Sequence, residues 1–212
     1  MEANQQNQLA AFLKERGVLK SAKIIAAFEA VDRQDFVPEE MGGLAYVDEP
    51  LPIGFGQTIS QPSTVAFMLE HLDAREGDII FDVGSGSGWQ AALLAQIVGS
   101  AGKIYTAEIV LELCQFGREN IKKYPALAER IVFECGNAVV GIQSLPQRES
   151  LDKIIAAATL DEVPLVWRAQ LKVGGKMLYP SHESLFEEIK TGRDEFRTVE
   201  YPGFVFVPFI KG

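Results

Sequence analysis

Apolar residues in this chain follow three rhythms in turn. In the first, Leu9, Phe12 and Leu13 stand at helical spacing, and Gly17 closes the helix they predict. Ser21 can cap a second helix whose apolar residues are Ile24, Ile25, Phe28 and Val31. Arg33 to Val47 reads as a loop region. A further helix can start at Ser63 or Thr64, with Val65, Met68, Leu69 and Leu72 inward.

From Asp78 short apolar runs alternate with helical spacing. Strand Ile79–Val83 precedes helix Trp89–Val98, and strand Lys103–Ala107 precedes helix Leu111–Lys123. Strand Ile131–Cys135 precedes a short helical stretch ending near Leu145, and strand Lys153–Ala157 precedes helix Val163–Leu171. Strand Lys176–Tyr179 follows a turn at Gly174-Gly175. Buried strands joined by helical crossovers predict a mostly parallel sheet covered on both faces. The third rhythm is strand-like: Ser184–Lys190, Glu195–Glu200 and Phe204–Ile210, separated by turns at Gly192 and Pro202-Gly203. It predicts an antiparallel edge on the parallel sheet.

Length and charge narrow the partners. The 212 residues, 47% hydrophobic and 23% charged, suit one soluble domain with a sizeable core. A net charge of −9, with no basic cluster longer than Lys122-Lys123, argues against a nucleic-acid partner. The start of the chain lacks the basic and apolar regions of a signal peptide. No apolar run approaches the roughly 20 residues that span a membrane, so a cytoplasmic location is expected. Cys114 and Cys135 fall in helical and strand contexts and read as free buried thiols. His71 and His182 stand alone, and no metal-ligand spacing occurs.

Two segments carry the chemistry. Pro50 to Pro62 combines three prolines with Gly54 and Gly56 and suits neither a helix nor a regular strand. Within it Gln57, Thr58 and Ser60 offer several hydrogen-bonding groups. The other segment, Phe81-Asp-Val-Gly-Ser-Gly-Ser-Gly-Trp89, is a strand end entering a glycine-rich turn. In an open α/β sheet such turns meet ligands beyond the strand ends. Glu108 ends the next strand, 20 residues after Gly88, where a carboxylate can accept from both hydroxyls of a ribose. Gly86, Gly88 and Ala91 also fit the dinucleotide pattern, which leaves a nicotinamide enzyme open. Asp82 weighs against it: a pyrophosphate over this helix start would meet a carboxylate, whereas a ligand carrying an ammonium and a sulfonium would be attracted.

Together these motifs resemble the protein-L-isoaspartate O-methyltransferases. The resemblance is nearly full length: Arg16-Gly-Val-Leu19, Val31-Asp-Arg-Gln-Asp-Phe-Val-Pro38, Ala45-Tyr46, Leu51-Pro-Ile-Gly-Phe-Gly-Gln-Thr-Ile-Ser-Gln-Pro62, Asp82 to Trp89, Ala156-Ala-Ala158, Leu171-Lys-Val-Gly-Gly175 and Phe206-Val-Pro-Phe209. The glycine loop is shared by many methyltransferases, while the Pro-Ile-Gly-x-Gly-Gln-Thr-Ile-Ser stretch is close to specific. The resemblance implies a Rossmann-like methyltransferase fold, α/β and doubly wound, with N-terminal helices. Residues 1–77 would supply helices and substrate loop, 78–180 the cofactor core and 181–212 the C-terminal strands of a single domain.

It further implies methyl transfer from S-adenosyl-L-methionine to isoaspartyl carboxylates of damaged proteins and peptides, initiating repair and releasing S-adenosyl-L-homocysteine. Asp82, Val83, Gly84, Ser85, Gly86, Glu108, Asn137 and Ala138 would hold that cofactor. Thr58, Ile59 and Ser60 would form the carboxylate end of the peptide site, and Val205, Phe206 and Val207 would run beside the peptide. Asn137 stands where the family's Gly-Asp is expected, Ser63 where an aromatic or His is common, and Pro180-Ser181-His182 where a small apolar turn is usual.

An ionised carboxylate is already a nucleophile at neutral pH, which fits a sequence with no His beside any motif. Ser60 can orient that carboxylate or merely cap a turn. Trp89 can flank the cofactor or sit in the core; Trp167 reads as packing, and Glu187-Glu188 as a solvated strand face. Two rivals stand beside the enzyme reading: a non-catalytic binder of damaged peptides, and a methyltransferase acting on a small molecule or RNA.

Overall fold

A seven-stranded sheet runs through the middle of the protein, and its order places the site. The computed structural model describes residues 5–210; the outermost ends of the expected N- and C-terminal regions lie outside the described residues. Its strands are β3 (Ile79–Val83), β4 (Lys103–Glu108), β5 (Ile131–Cys135), β6 (Leu151–Ala156), β7 (Leu171–Ser181), β8 (Ser184–Lys190) and β9 (Phe196–Pro202). They lie in the order β5-β4-β3-β6-β7-β8-β9. The first five are mutually parallel, and β8 and β9 return antiparallel. This is the expected doubly wound sheet with an antiparallel edge. The winding reverses between β3 and β6, so their C-terminal ends open a crevice.

Burial on both faces explains the apolar strands. Ile80, Ile104, Ile155 and Leu178 point into one cluster, with α2 (Ala22–Ala30), α3 (Pro62–Leu72) and α4 (Trp89–Val98). Their neighbours Phe81, Ile154 and Met177 point into the other, with Trp167 of α7 (Leu165–Gln170). Successive side chains on opposite faces are the period-two signature of a strand. α1 (Gln5–Glu15) buries Leu9 and Leu13 but leaves Phe12 40% exposed, outside the apolar side expected for it.

Several expectations need correction. Residues 51–59 form a small antiparallel hairpin, β1 (Leu51–Gly54) with β2 (Gln57–Ile59). The prolines do not prevent it: Pro52 sits on a two-stranded edge, and Gly54, Phe55 and Gly56 all take positive φ at the turn. Arg33 to Val47 contains two 3-10 helices, Arg33–Phe36 and Glu39–Leu44. The helical stretch expected before Leu145 is only a 3-10 turn, Ala138–Val140. β7 passes through Gly174-Gly175 with a register shift instead of starting after a turn. Phe204–Ile210 is not a strand: among the described residues its only ladder contact is one parallel bridge, Thr159 to Pro208, and Phe204 packs on Phe67 at 4.9 Å between ring centroids.

Two polar assignments also change. Glu187 and Glu188 are buried instead of solvated, because long cations reach them: Lys176 Nζ lies 3.0 Å from Glu187 and Arg168 2.8 Å from Glu188. Cys114 and Cys135 are joined in a disulfide and are not free thiols. The cause is tertiary. Register sets Cys135 opposite Glu108, and α5 (Leu111–Ile121), leaving just beyond Glu108, folds Cys114 back to a Cα separation of 5.7 Å.

The bridge spans 21 positions of chain, so breaking it frees the unfolded state. Reductant, or Cys135→Ser, is expected to lower the urea-derived unfolding free energy by about 3 kcal/mol. A midpoint indifferent to reductant would contradict the bridge.

Candidate active site

The crevice between β3 and β6 is roofed by the hairpin. About 800 Å³ of space, part of it open to solvent, lies among Thr58, Ile59 and Ser60 of the hairpin wall, Gly84 to Ser87 and Glu108 of the sheet wall, and Ala157, Ala158 and Val207 opposite. Gly136 and Ala138, after β5, close one end.

The sheet wall is held by backbone and one carboxylate. The Gly84 and Ser85 amides donate to Ala107 O, which ties the loop to the end of β4. Glu108 is buried; its Oε2 accepts from the Gly86 amide at 2.9 Å and its Oε1 from Val110 at 3.0 Å. A carboxylate has about four acceptor sites, so these two bonds do not exhaust it. Glu108 is the one titratable side chain among the described residues lining it. α5 approaches closely because residue 117 is glycine; a Cβ there would lie 2.9 Å from Gly86 O.

Asp82 plays a different part from the one expected. It is completely buried, accepts from Gln90 Nε2 at 2.7 Å and Thr106 Oγ1 at 2.8 Å, and lies outside the residues lining the crevice. Burial raises its pKa to about 6, with the two hydrogen bonds opposing and nearby Glu108 adding to the rise. It therefore braces Gln90, which does line the crevice, rather than facing a ligand cation.

The other expected residues divide the same way. Thr58, Ile59, Ser60, Gly84, Ser85, Gly86, Glu108, Ala138 and Val207 come together around the space. Val83 is in the core beneath it. Asn137 lies between two lining residues, its Oδ1 accepting from the Val139 amide at 2.9 Å. Val205 and Phe206 lie just outside, Val205 being 82% exposed. Trp89 combines the two roles left open for it: it is 1% exposed, packs edge-on against Phe28 at 5.5 Å and forms part of the lining.

The walls leave polar atoms and open backbone available to a ligand. Ser85 Oγ and Trp89 Nε1 are buried without a hydrogen-bond partner among the described residues, and both residues line the space. A Cβ at Gly84 or Gly136 would meet no protein atom within 4 Å, so a side chain at either would consume room in the crevice.

Residues 4–212 match the family model described as Protein-L-isoaspartate(D-aspartate) O-methyltransferase. The chain belongs to this family. A protein-L-isoaspartate O-methyltransferase from Staphylothermus marinus is 36% identical over 98% of this chain and 94% of its own. One from Ignicoccus hospitalis is 40% identical over 92% of both chains. In solved structures, a Plasmodium falciparum protein described as a protein-L-isoaspartate O-methyltransferase, in complex with S-adenosyl-L-homocysteine, superposes with a TM-score of 0.87. It is 26% identical, covering 99% of this chain and 100% of that one.

Arg33 was not among the expected site residues, yet it touches two residues of the lining, Ser60 and Trp89. This side chain is 0% exposed and donates to four carbonyls, those of Ala45, Val47, Glu49 and Ser60. Burial pulls its pKa down to about 10, with Asp48 opposing, so it is a cation at neutral pH. Arg33 lies within Val31-Asp-Arg-Gln-Asp-Phe-Val-Pro38, one of the segments that carry the family resemblance, but nothing in that segment shows which carbonyls its side chain gathers.

Asp82 generates a pH prediction. Its carboxyl ionises near 3.8 when unfolded and about 6 when folded, so the fold favours the proton. The resulting stability is complete below about pH 4 and is lost as pH rises through 6. The gap corresponds to about 3 kcal/mol. Asp82→Asn, which cannot ionise, is expected to gain about that much relative to wild type between pH 4 and 8 in urea unfolding. A difference constant with pH would show that Asp82 ionises freely.

Proposed function

We propose that this protein transfers a methyl group from S-adenosyl-L-methionine to the free carboxylate of L-isoaspartyl residues in proteins and peptides, the step that starts their repair. The observation carrying this reading is that one crevice joins the ribose-type acceptor Glu108 to the Thr58-Ile59-Ser60 hairpin wall. When bound, S-adenosyl-L-methionine supplies an electrophilic methyl group on a sulfonium and leaves as S-adenosyl-L-homocysteine.

The chain's own residues bind and orient. Glu108 takes the ribose hydroxyls on its remaining acceptor sites, while Gly84, Ser85 and Gly86 give the cofactor close approach to the backbone. Gly136, Asn137 and Ala138 form the adenine end, with Asn137 holding the turn. Asp82 and Val83 support this wall from below. The acceptor is an ionised carboxylate and needs no base. What remains for the protein is to hold two reacting atoms in line in a site shielded from water. Ser60 donates to the carboxylate and orients it.

Selectivity follows from position. An isoaspartyl linkage adds a methylene to the main chain and leaves its carboxylate on a shorter branch. A site that fixes both backbone and carboxylate rejects ordinary aspartate, whose oxygen falls in the wrong place. The main chain at Val205–Val207 runs beside the crevice, anchored by Thr159 N to Val207 O at 2.8 Å, and pairs with the peptide as an added strand.

Matched isoaspartyl and aspartyl peptides test the substrate. Wild type should methylate the first and not the second; equal rates would refute the assignment, and cofactor binding without transfer would make the protein a binder only. Ser60→Ala is expected to lower kcat/KM about 10- to 100-fold with unchanged affinity for S-adenosyl-L-homocysteine, since it removes one hydrogen bond to a charged group. Glu108→Ala should do the reverse in calorimetry, weakening S-adenosyl-L-homocysteine by about 1–3 kcal/mol. Unaltered binding would move the ribose elsewhere.

A further inference from the structure

Arg33 is a buried cation with no ion-pair partner among the described residues. Asp48 acts on it only through space, and burying a charge without a direct ion pair is costly, so packing alone would be served better by an apolar side chain of the same volume. Its contacts show what the charge does. Nη1 donates to Ala45 O at 2.7 Å and Val47 O at 3.3 Å; Nη2 donates to Glu49 O at 3.0 Å and Ser60 O at 3.1 Å. Glu49 precedes the hairpin and Ser60 follows it, so one nitrogen draws its two ends together. The same guanidinium carbon lies 5.3 Å from the centroid of the Trp89 ring, on the first turn of the helix that follows the glycine loop.

We propose that Arg33 is a positioning residue for methyl transfer: its guanidinium sets the hairpin wall that carries Ser60 in register with the wall formed by Trp89 and the glycine loop. This rests on the reading that Ser60 holds the acceptor carboxylate. Ser60 is then fixed from both sides. Ile59 before it is buried and pairs with Leu51, and its own carbonyl is bound by Arg33. The next residue, Gln61, returns its Nε2 to Asp48 O at 2.9 Å. A planar fork of five donors can gather four carbonyls around one charge, whereas a lysine offers three donors from a single point. The cation also lies against the Trp89 ring, which ties the acceptor wall to the cofactor wall.

Arg33→Met and Arg33→Lys test this, assayed per S-adenosyl-L-homocysteine-binding site so that unfolded protein does not count. In Arg33→Met, kcat on the isoaspartyl peptide should fall about 10- to 100-fold, the cost of a misplacement of about 1 Å. Its affinity for S-adenosyl-L-homocysteine should stay close to that of wild type. Hydrogen exchange of the ligand-free protein should quicken at residues 45–60 and not at 84–88. Arg33→Lys should fall between the two. Wild-type kcat per binding site in Arg33→Met, whatever its melting temperature, overturns the proposal, as does exchange that quickens evenly over the chain. If Arg33→Met does not fold, Arg33→Lys decides: wild-type kcat with unchanged exchange at 45–60 overturns it. Wild type without preference for the isoaspartyl peptide sinks the functional reading and the acceptor role with it; normal Arg33 variants beside a selective wild type sink only the positioning role.

Discussion

Much of the site depends on one buried carboxylate and the two amides it holds. Glu108 stands where β4 ends, and its hydrogen bonds to Gly86 and Val110 lock together the glycine loop and the approach to α5. Removing a carboxylate from water is unfavourable unless donors replace the water. Two backbone amides do so here, one on each carboxylate oxygen, and the side chain still lines the crevice. The close contact of α5 at Gly117 with Gly86 O follows from the same arrangement. So do the neighbouring positions of Glu108 and Cys135, since β4 and β5 pair there.

The opposite wall is built on another economy. A hairpin of seven strand residues has little apolar area of its own and cannot stand alone. It is anchored by Leu51, Ile53 and Ile59, which enter the main core, and by the carbonyls gathered on Arg33. This wall has an exposed outer side, with Phe55 60% exposed at its tip, and a buried inner side.

The sheet was legible in the sequence because its strands are buried on both faces. Ile79–Val83, Ile131–Cys135 and Ser184–Lys190 have the bounds expected of them, as does helix Trp89–Val98. Ser60, Glu108 and the glycine loop were singled out in the sequence because each lies in or just after a motif, and the fold brings them to one crevice. What escaped depends on contacts between distant residues. Phe204 to Ile210 alternates like a strand, yet no neighbour among the described residues offers it an edge beyond Thr159. Glu187 and Glu188 look solvated until Lys176, Arg168, His71 and Tyr201 arrive from other elements. The Cys114–Cys135 bond and the Arg33 clamp are likewise products of the fold. Asp82 was read as a ligand contact because a motif gives position along a strand and not which way the side chain is satisfied.

The central claim is that the crevice places an isoaspartyl carboxylate, and no other, against the transferable methyl group. Its most direct test is to incubate one peptide carrying isoaspartyl, aspartyl and C-terminal carboxylates with S-adenosyl-L-methionine labelled in the methyl group, then locate the label by mass spectrometry. The account predicts label on the isoaspartyl carboxylate alone. Label on the aspartyl or terminal carboxylate, or spread over all three, would contradict it.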